Sequence, residues 1–261
     1  MTLFLHEIKR GRLALIIWTA AIAFMLAVCV VIYPEMSAQM NELGDMFSDM
    51  GAFSEAFGMD QLNFGEFMGY FGIECSNTLG LGGALFAAVL GACALSKEEK
   101  DGTAELLLTY PISRTRVLSH KLLAIFAQIF ALNFAVAAVS VLSMVIIAVD
   151  ADAAQIALIF LAYFLMQIEI ASLTFCLSAF MRGGAYGASI GIALALYFAN
   201  IVSNLADELE FLKFVSPFGY ADGSHIVGEG NIEIKYLIVG MCLSIAAVVG
   251  AYFKYRSKDI H

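Results

Sequence analysis

The chain has 261 residues, 61% of them hydrophobic and 14% charged, with four histidines, five cysteines and a net charge of −9. A soluble domain carries nearer a quarter charged residues, and several stretches of about 18 residues or more here lack any charge, enough to cross the hydrocarbon core as a helix. These values exclude separate soluble domains, since no polar block is long enough to bury a core of its own. They predict an all-α integral membrane protein, one transmembrane domain over residues 1–261, with membrane lipid around it and no nucleic-acid partner.

Residues 2–12 (TLFLHEIKRGR) place Leu3, Phe4 and Ile8 on one helical face with Lys9, Arg10 and Arg12 at its end. That pattern suits a short N-terminal helix lying in the membrane interface; the plainer reading is flanking charge that sets orientation. Span one covers 13–33, an apolar run too long for a cleavable signal peptide, and Pro34 is expected to end it. Residues 35–72 form an outer segment with no Lys or Arg, in which Met46, Met50, Phe53 and Phe57 recur at helical spacing. One or two short amphipathic helices against the membrane surface or the bundle account for this. A soft-metal site does not, because adjacent Met or His ligands are missing, so no metal is expected.

Span two, 74–95, is rich in glycine (Gly80, Gly82, Gly83, Gly91), which lets helix backbones approach closely, with Ser76, Asn77 and Thr78 near its outer end. Span three covers 122–148 and span four 156–181, separated by a turn carrying Asp150 and Asp152. Span five covers 185–202, and Gly183, Gly187, Gly191, Ala195 and Ala199 fall every fourth residue, giving one smooth stripe. Residues 203–235 form a second outer segment whose apolar pieces are too short to cross; a re-entrant hairpin fits where protein or water satisfies its backbone. Span six covers 236–253. The cysteines lie scattered in apolar runs without metal or redox spacing, and His6, His120 and His225 are isolated and read as interface or packing residues.

With six spans, every Lys and Arg except Lys213 and Lys235 falls on one side. The positive-inside rule puts that side, and both termini, in the cytoplasm. The segment 96–121 between spans two and three is then cytoplasmic and charge-dense. Glu98, Glu99 and Asp101 precede Gly102-Thr103, Thr103 can cap a helix over 104–108, Pro111 breaks it, and Ser113 can cap a second helix from Arg114 onward. A solvated linker would not need this punctuation.

The stretch EEKDGTAELLLTYPISRTRVLSHK resembles the signature of type-2 ABC transporter permeases. Their loop between spans two and three carries an acid, Gly-Thr, Glu-Leu-Leu, Pro-Ile-Ser-Arg and a Lys. The matching positions here include Glu98 or Glu99, Gly102, Thr103, Glu105, Pro111, Ile112, Ser113, Arg114 and Lys121. The stretches 63–74, Ser216-Pro217-Phe218 and the basic tail resemble the same family, so the likeness covers most of the chain. It implies an ABCG-like six-helix fold. Two permease subunits, the same or related chains, would pair with two separate ATPase subunits, and 98–114 would serve as the coupling helix. It also implies that spans two and five face the cargo path, placing Asn77, Thr78, Tyr197 and Asn200 near it, with dimer contact as the second reading of both glycine stripes.

The chain contains no Gly-x4-Gly-Lys-Ser/Thr phosphate loop. No catalytic residue and no cofactor bound by this chain are expected; ATP and Mg2+ belong to the partner ATPase. Glu169 lies inside span four, where an acid is costly unless paired. Asn133, at similar depth on span three, or Gln128 nearer the cytoplasm, is its expected partner; a path-lining or proton-linked role is the alternative. An intramembrane enzyme would need a constellation that Glu169 alone does not supply. An ion-coupled carrier would show repeat symmetry between the two halves, which do not look alike. The expected cargo is small or amphipathic and exported, across a bacterial-type cell membrane.

Overall fold

The computed structural model describes residues 2–48, 66–100, 113–181, 185–205 and 207–257. Every regular element among them is helical. In chain order these are α1 (Thr2–Ser48), α2 (Phe67–Cys75), a π-helical turn (Ser76–Gly80) and α3 (Leu81–Lys100), then α4 (Arg114–Ile146), α5 (Ala153–Phe180) and α6 (Ala185–Leu205). Two 3-10 turns follow (Asp207–Phe214 and Pro217–Gly219), then α7 (Gly223–Glu229) and α8 (Ile234–Ser257). Among the described residues six stretches are long and apolar enough to cross a membrane: Leu3–Glu35, Phe67–Lys97, Arg114–Ile146, Ala153–Phe180, Ala185–Leu205 and Ile234–Ser257.

The ends of these helices follow local chemistry. Ser113 caps α4 by accepting the Arg116 amide at 3.4 Å, as its position before Arg114 predicts. Asp152 caps α5 through the Ala154 amide at 2.8 Å. Asp222 caps α7 through the Ser224 amide at 2.9 Å, and Gly230 closes that helix with φ of 68°, a conformation that suits glycine.

Three expectations about the first two spans need correction. No break separates 2–12 from span one; α1 is continuous from Thr2, so an independent interfacial helix is not seen. Pro34 does not end that helix, which continues to Ser48. Proline withholds one N–H and crowds the carbonyl four residues back, here Val30, but the turns on either side keep their own bonds. The Ser37 hydroxyl donates to the Pro34 carbonyl at 3.1 Å. Span two also starts earlier than Glu74, and Phe67, Tyr70 and Phe71 lie against the bundle, one of the two places expected for this segment's apolar residues. Phe67 meets Tyr33 of α1 edge to face at 5.1 Å, Tyr70 lies tilted against Tyr33 at 5.4 Å, and Phe71 stacks on Phe67 at 5.8 Å. The expected surface helices around Met50, Phe53 and Phe57 lie outside the described residues.

Helix α5 is the centre of the bundle. In the span-four window 61% of residues are buried, against 17% for span five. The glycines of span two explain the tight seam against it. A Cβ on Gly91 would run into Thr174 and the Ala171 carbonyl, one on Gly83 into Gln167 and one on Gly80 into Tyr163. Gly82 faces Ile22 of α1. This stripe is therefore spent inside the chain, which corrects its reading as a dimer contact. Gly187 and Gly191 of α6 meet nothing within 4 Å, so the span-five stripe points away from the rest of the chain.

Candidate functional site

The π-helical turn Ser76–Gly80 interrupts span two where α2 joins α3. Such turns widen the helix and shift the side chains after them, and they recur at functional sites. Here the turn carries Ser76, Asn77 and Thr78. Ser76 donates to the Gly72 carbonyl at 3.0 Å and lies 2.7 Å from the Tyr163 hydroxyl of α5. It also accepts the Gly223 amide at 3.2 Å. With the serine proton on Gly72, Tyr163 is the donor to Ser76. The chain 217–229 is thereby pinned against span two, and Gly72 and Gly223 touch backbone to backbone, with no room for a Cβ on either.

Beside this junction lies a cavity of about 40 Å³ lined by Ser76, Asn77, Tyr163, Tyr197, Asn200 and Asp222, with Asn204, Ile201, Phe218 and Ala221 completing the wall. Three of the sequence-predicted path residues, Asn77, Tyr197 and Asn200, thus meet in one place. Thr78 shares the turn but does not line the cavity. Tyr197 and Phe218 pack edge to face at 5.4 Å, and Ser216 donates to the Leu196 carbonyl at 2.8 Å, which holds 217–221 against α6. Burial pushes the Asp222 carboxyl up from its ordinary pKa, opposed more weakly by its hydrogen bonds to Ser224 and by Lys213.

Asn133 and Glu169 lie elsewhere and do not meet. Asn133 donates to Gln167 at 2.7 Å and to Ile129 at 2.9 Å. Gln128 donates to the Ala124 carbonyl of its own helix at 3.2 Å and packs against Gly11. Glu169, 1% exposed, accepts the Tyr220 hydroxyl at 3.0 Å. The expected partners were wrong because matching depth on neighbouring helices leaves rotation undetermined: Gln167, two residues away, faces α4, whereas Glu169 faces α8. Gly240 of α8 makes the space, since a Cβ there would overlap the carboxylate. Sequence reading missed Tyr220, Asp222 and Tyr163. The available signal was a glycine, Gly240, at the one place in span six where a buried acid needs room.

At the end carrying both termini, α4 holds its neighbours. Lys121, 2% exposed, donates to Glu7 at 2.9 Å and to the Ala94 carbonyl at 2.8 Å, joining α1, α3 and α4. Arg114 donates to the Tyr255 and Arg256 carbonyls at 3.2 and 3.4 Å, at the C-terminus of α8. Glu98 and Glu99 fall in the last turn of α3. Gly102, Thr103, Glu105 and Pro111, with the expected helix over 104–108, lie outside the described residues. Among the described residues no group of three or more His, Cys, Asp or Glu could hold a metal ion.

No curated protein matches the chain. A family does: the pattern of the ABC-2 family transporter protein matches residues 1–259, nearly the whole length. With its six apolar helices, the chain belongs to the ABC-2 transporter family as a multi-pass membrane permease subunit of an ABC transporter.

Proposed function

We propose that this chain forms half of the cargo path of an ATP-driven exporter, and that residues 96–121 couple it to separate ATPase subunits, two per complex, beside a second permease that is the same or a related chain. The observation that carries the reading is the cavity between spans two and five. Membrane helices avoid polar side chains unless they serve a path or a partner, yet Asn77, Asn200 and Asn204 converge there. Asn77 is also exposed on the outside of this single chain, where a second permease or cargo would cover it. The termini and 96–121 face the cytoplasm of a bacterial-type cell, as the basic residues imply.

Within the outer segment 203–235, we assign the re-entrant hairpin to 217–229. The Tyr220 hydroxyl reaches Glu169, about 24 Å along α5 from its start at Ala153, which supports a dip of this hairpin toward mid-bilayer. A small or amphipathic cargo passing the cavity would meet hairpin, span two and span five together. ATP and Mg2+ bind the partner; this chain contributes path and linkage.

Exchange of Glu98 and Glu99 together for Lys tests the coupling. Glu98→Lys/Glu99→Lys should reduce co-purification with the ATPase and abolish permease-dependent ATP turnover. Undiminished complex and turnover would sink the coupling role.

A further inference from the structure

Three properties of the cavity beside the π-helical turn select a ligand. It is rich in acceptors. Asp222 contributes a carboxylate. Asn200 contributes an amide oxygen that is buried and meets no donor among the described residues. Tyr163, its proton directed at Ser76, keeps a lone pair on its oxygen beyond the one that faces the Gly223 amide. No lining residue is basic; Lys213 on the neighbouring 3-10 turn pulls on Asp222 from outside the lining, less than burial pushes the other way. The cavity also has aromatic walls, the edge-to-face pair Tyr197 and Phe218. A desolvated carboxylate, an unsatisfied acceptor and aromatic rings together favour a cation that donates hydrogen bonds and tolerates apolar contact.

Size narrows the choice. About 40 Å³ holds a few water-sized groups at most, which suits a single ammonium head and not a guanidinium-bearing or bulky quaternary group. The tail of such a molecule would leave past the exposed Asn77 along the apolar faces of the helices. We propose that this cavity binds the protonated head of an aliphatic amine and that the cargo is a small amphipathic amine. The assignment of a class rests on the cavity being part of the cargo path.

Asp222 can be tested without losing the fold. Asn caps helices as well as Asp does, so Asp222→Asn keeps the cap on α7 and removes only the charge. Equilibrium dialysis of the detergent-solubilised permease–ATPase complex with radiolabelled hexylammonium, against 1-hexanol as a neutral isostere, reads the site directly. The expected result is saturable binding of one hexylammonium per permease chain, at least about tenfold tighter than hexanol. Asp222→Asn should remove about tenfold or more in affinity, the worth of one charge-assisted hydrogen bond. Tyr197→Leu should weaken binding severalfold through loss of a ring face. Equal binding of hexanol, unchanged affinity in Asp222→Asn, or displacement of hexylammonium by millimolar sodium would overturn the amine assignment; the last would mark an inorganic cation site. Failure here in a complex whose ATP turnover still depends on Glu98 and Glu99 would remove the amine alone and leave the coupling intact. Saturable, Asp222-dependent amine binding alongside undiminished turnover in Glu98→Lys/Glu99→Lys would do the reverse.

Discussion

Gly240→Ala has an effect whose sign separates two accounts of span six. In an isolated helix the change is favourable by about 1 kcal/mol, because glycine spends more backbone entropy than alanine. In this protein the new methyl would meet all three carboxyl atoms of Glu169, the farthest at 3.0 Å. Something must move, and the candidates are a carboxylate 1% exposed or the backbone of α8. Overpacking of this kind costs about 1–3 kcal/mol. Displacing the carboxylate also breaks its hydrogen bond from Tyr220 and leaves a buried acceptor unmet, about 1–3 kcal/mol more. Subtracting the helix gain leaves a net loss of about 1–5 kcal/mol. Equilibrium unfolding in mixed micelles, titrated with sodium dodecyl sulfate and followed by circular dichroism, measures it. The same exchange in a Glu169→Ala background should turn mildly stabilising, since the obstruction is gone. A Gly240→Ala protein as stable as the parent, or more so, would refute the assignment of Gly240 as the space for Glu169.

Two further outcomes follow from the packing. Gly223→Ala places a methyl against the Gly72 carbonyl. It should loosen segment 217–229 from span two at a cost of about 1–3 kcal/mol, read as faster cleavage there in limited proteolysis while α5 stays protected. Lys121→Met strips the partner from Glu7, itself 15% exposed, and should cost about 3 kcal/mol in unfolding. The double exchange Lys121→Met/Glu7→Leu should recover most of that loss, because an apolar pair replaces the buried charges without leaving one unmatched.

Legibility in the sequence depended on the range of the physics. Span number could be read because each span is a local count of apolar residues; span four was placed within three residues of α5 at both ends, whereas α4 starts at Arg114, eight residues before the expected start of span three. The Ser113 cap was visible for the same reason. Pro34 misled because a proline penalty is a few kcal/mol, which a long helix with buried flanks such as Leu26 and Val30 can absorb. The start of span two misled because Phe67 and Phe71 have the same helical spacing whether they belong to a surface helix or to the start of a span packed in the bundle. For the site, Asn77, Thr78, Tyr197 and Asn200 came from the family resemblance, which implies that spans two and five face the path; all but Thr78 line the cavity. Asp222 and Tyr220 were not found, because they sit in a polar segment where an acid and a tyrosine stand out from nothing. Only the fold shows that this segment turns inward.

The same contacts build the cavity wall from several elements. Ser76 and Asn77 lie in the turn between α2 and α3, and Tyr163 on α5; α3 and α5 approach closely at Gly91, where a Cβ would meet Thr174 and the Ala171 carbonyl. Tyr197 and Asn200 belong to α6, whose Gly187 and Gly191 leave open space on their side. The hairpin joins both, through Gly223 to Ser76 on one side and Ser216 to Leu196 on the other. At the opposite end, the segment proposed to meet the ATPase continues into α3 and α4, and α4 is tied to α1 and α8 by Lys121 and Arg114. Because α3 also packs along α6, that segment is linked to all six spans. The cavity lies on that α3–α6 side, so the coupling proposed above would act on the spacing between Asn77 and Asn200.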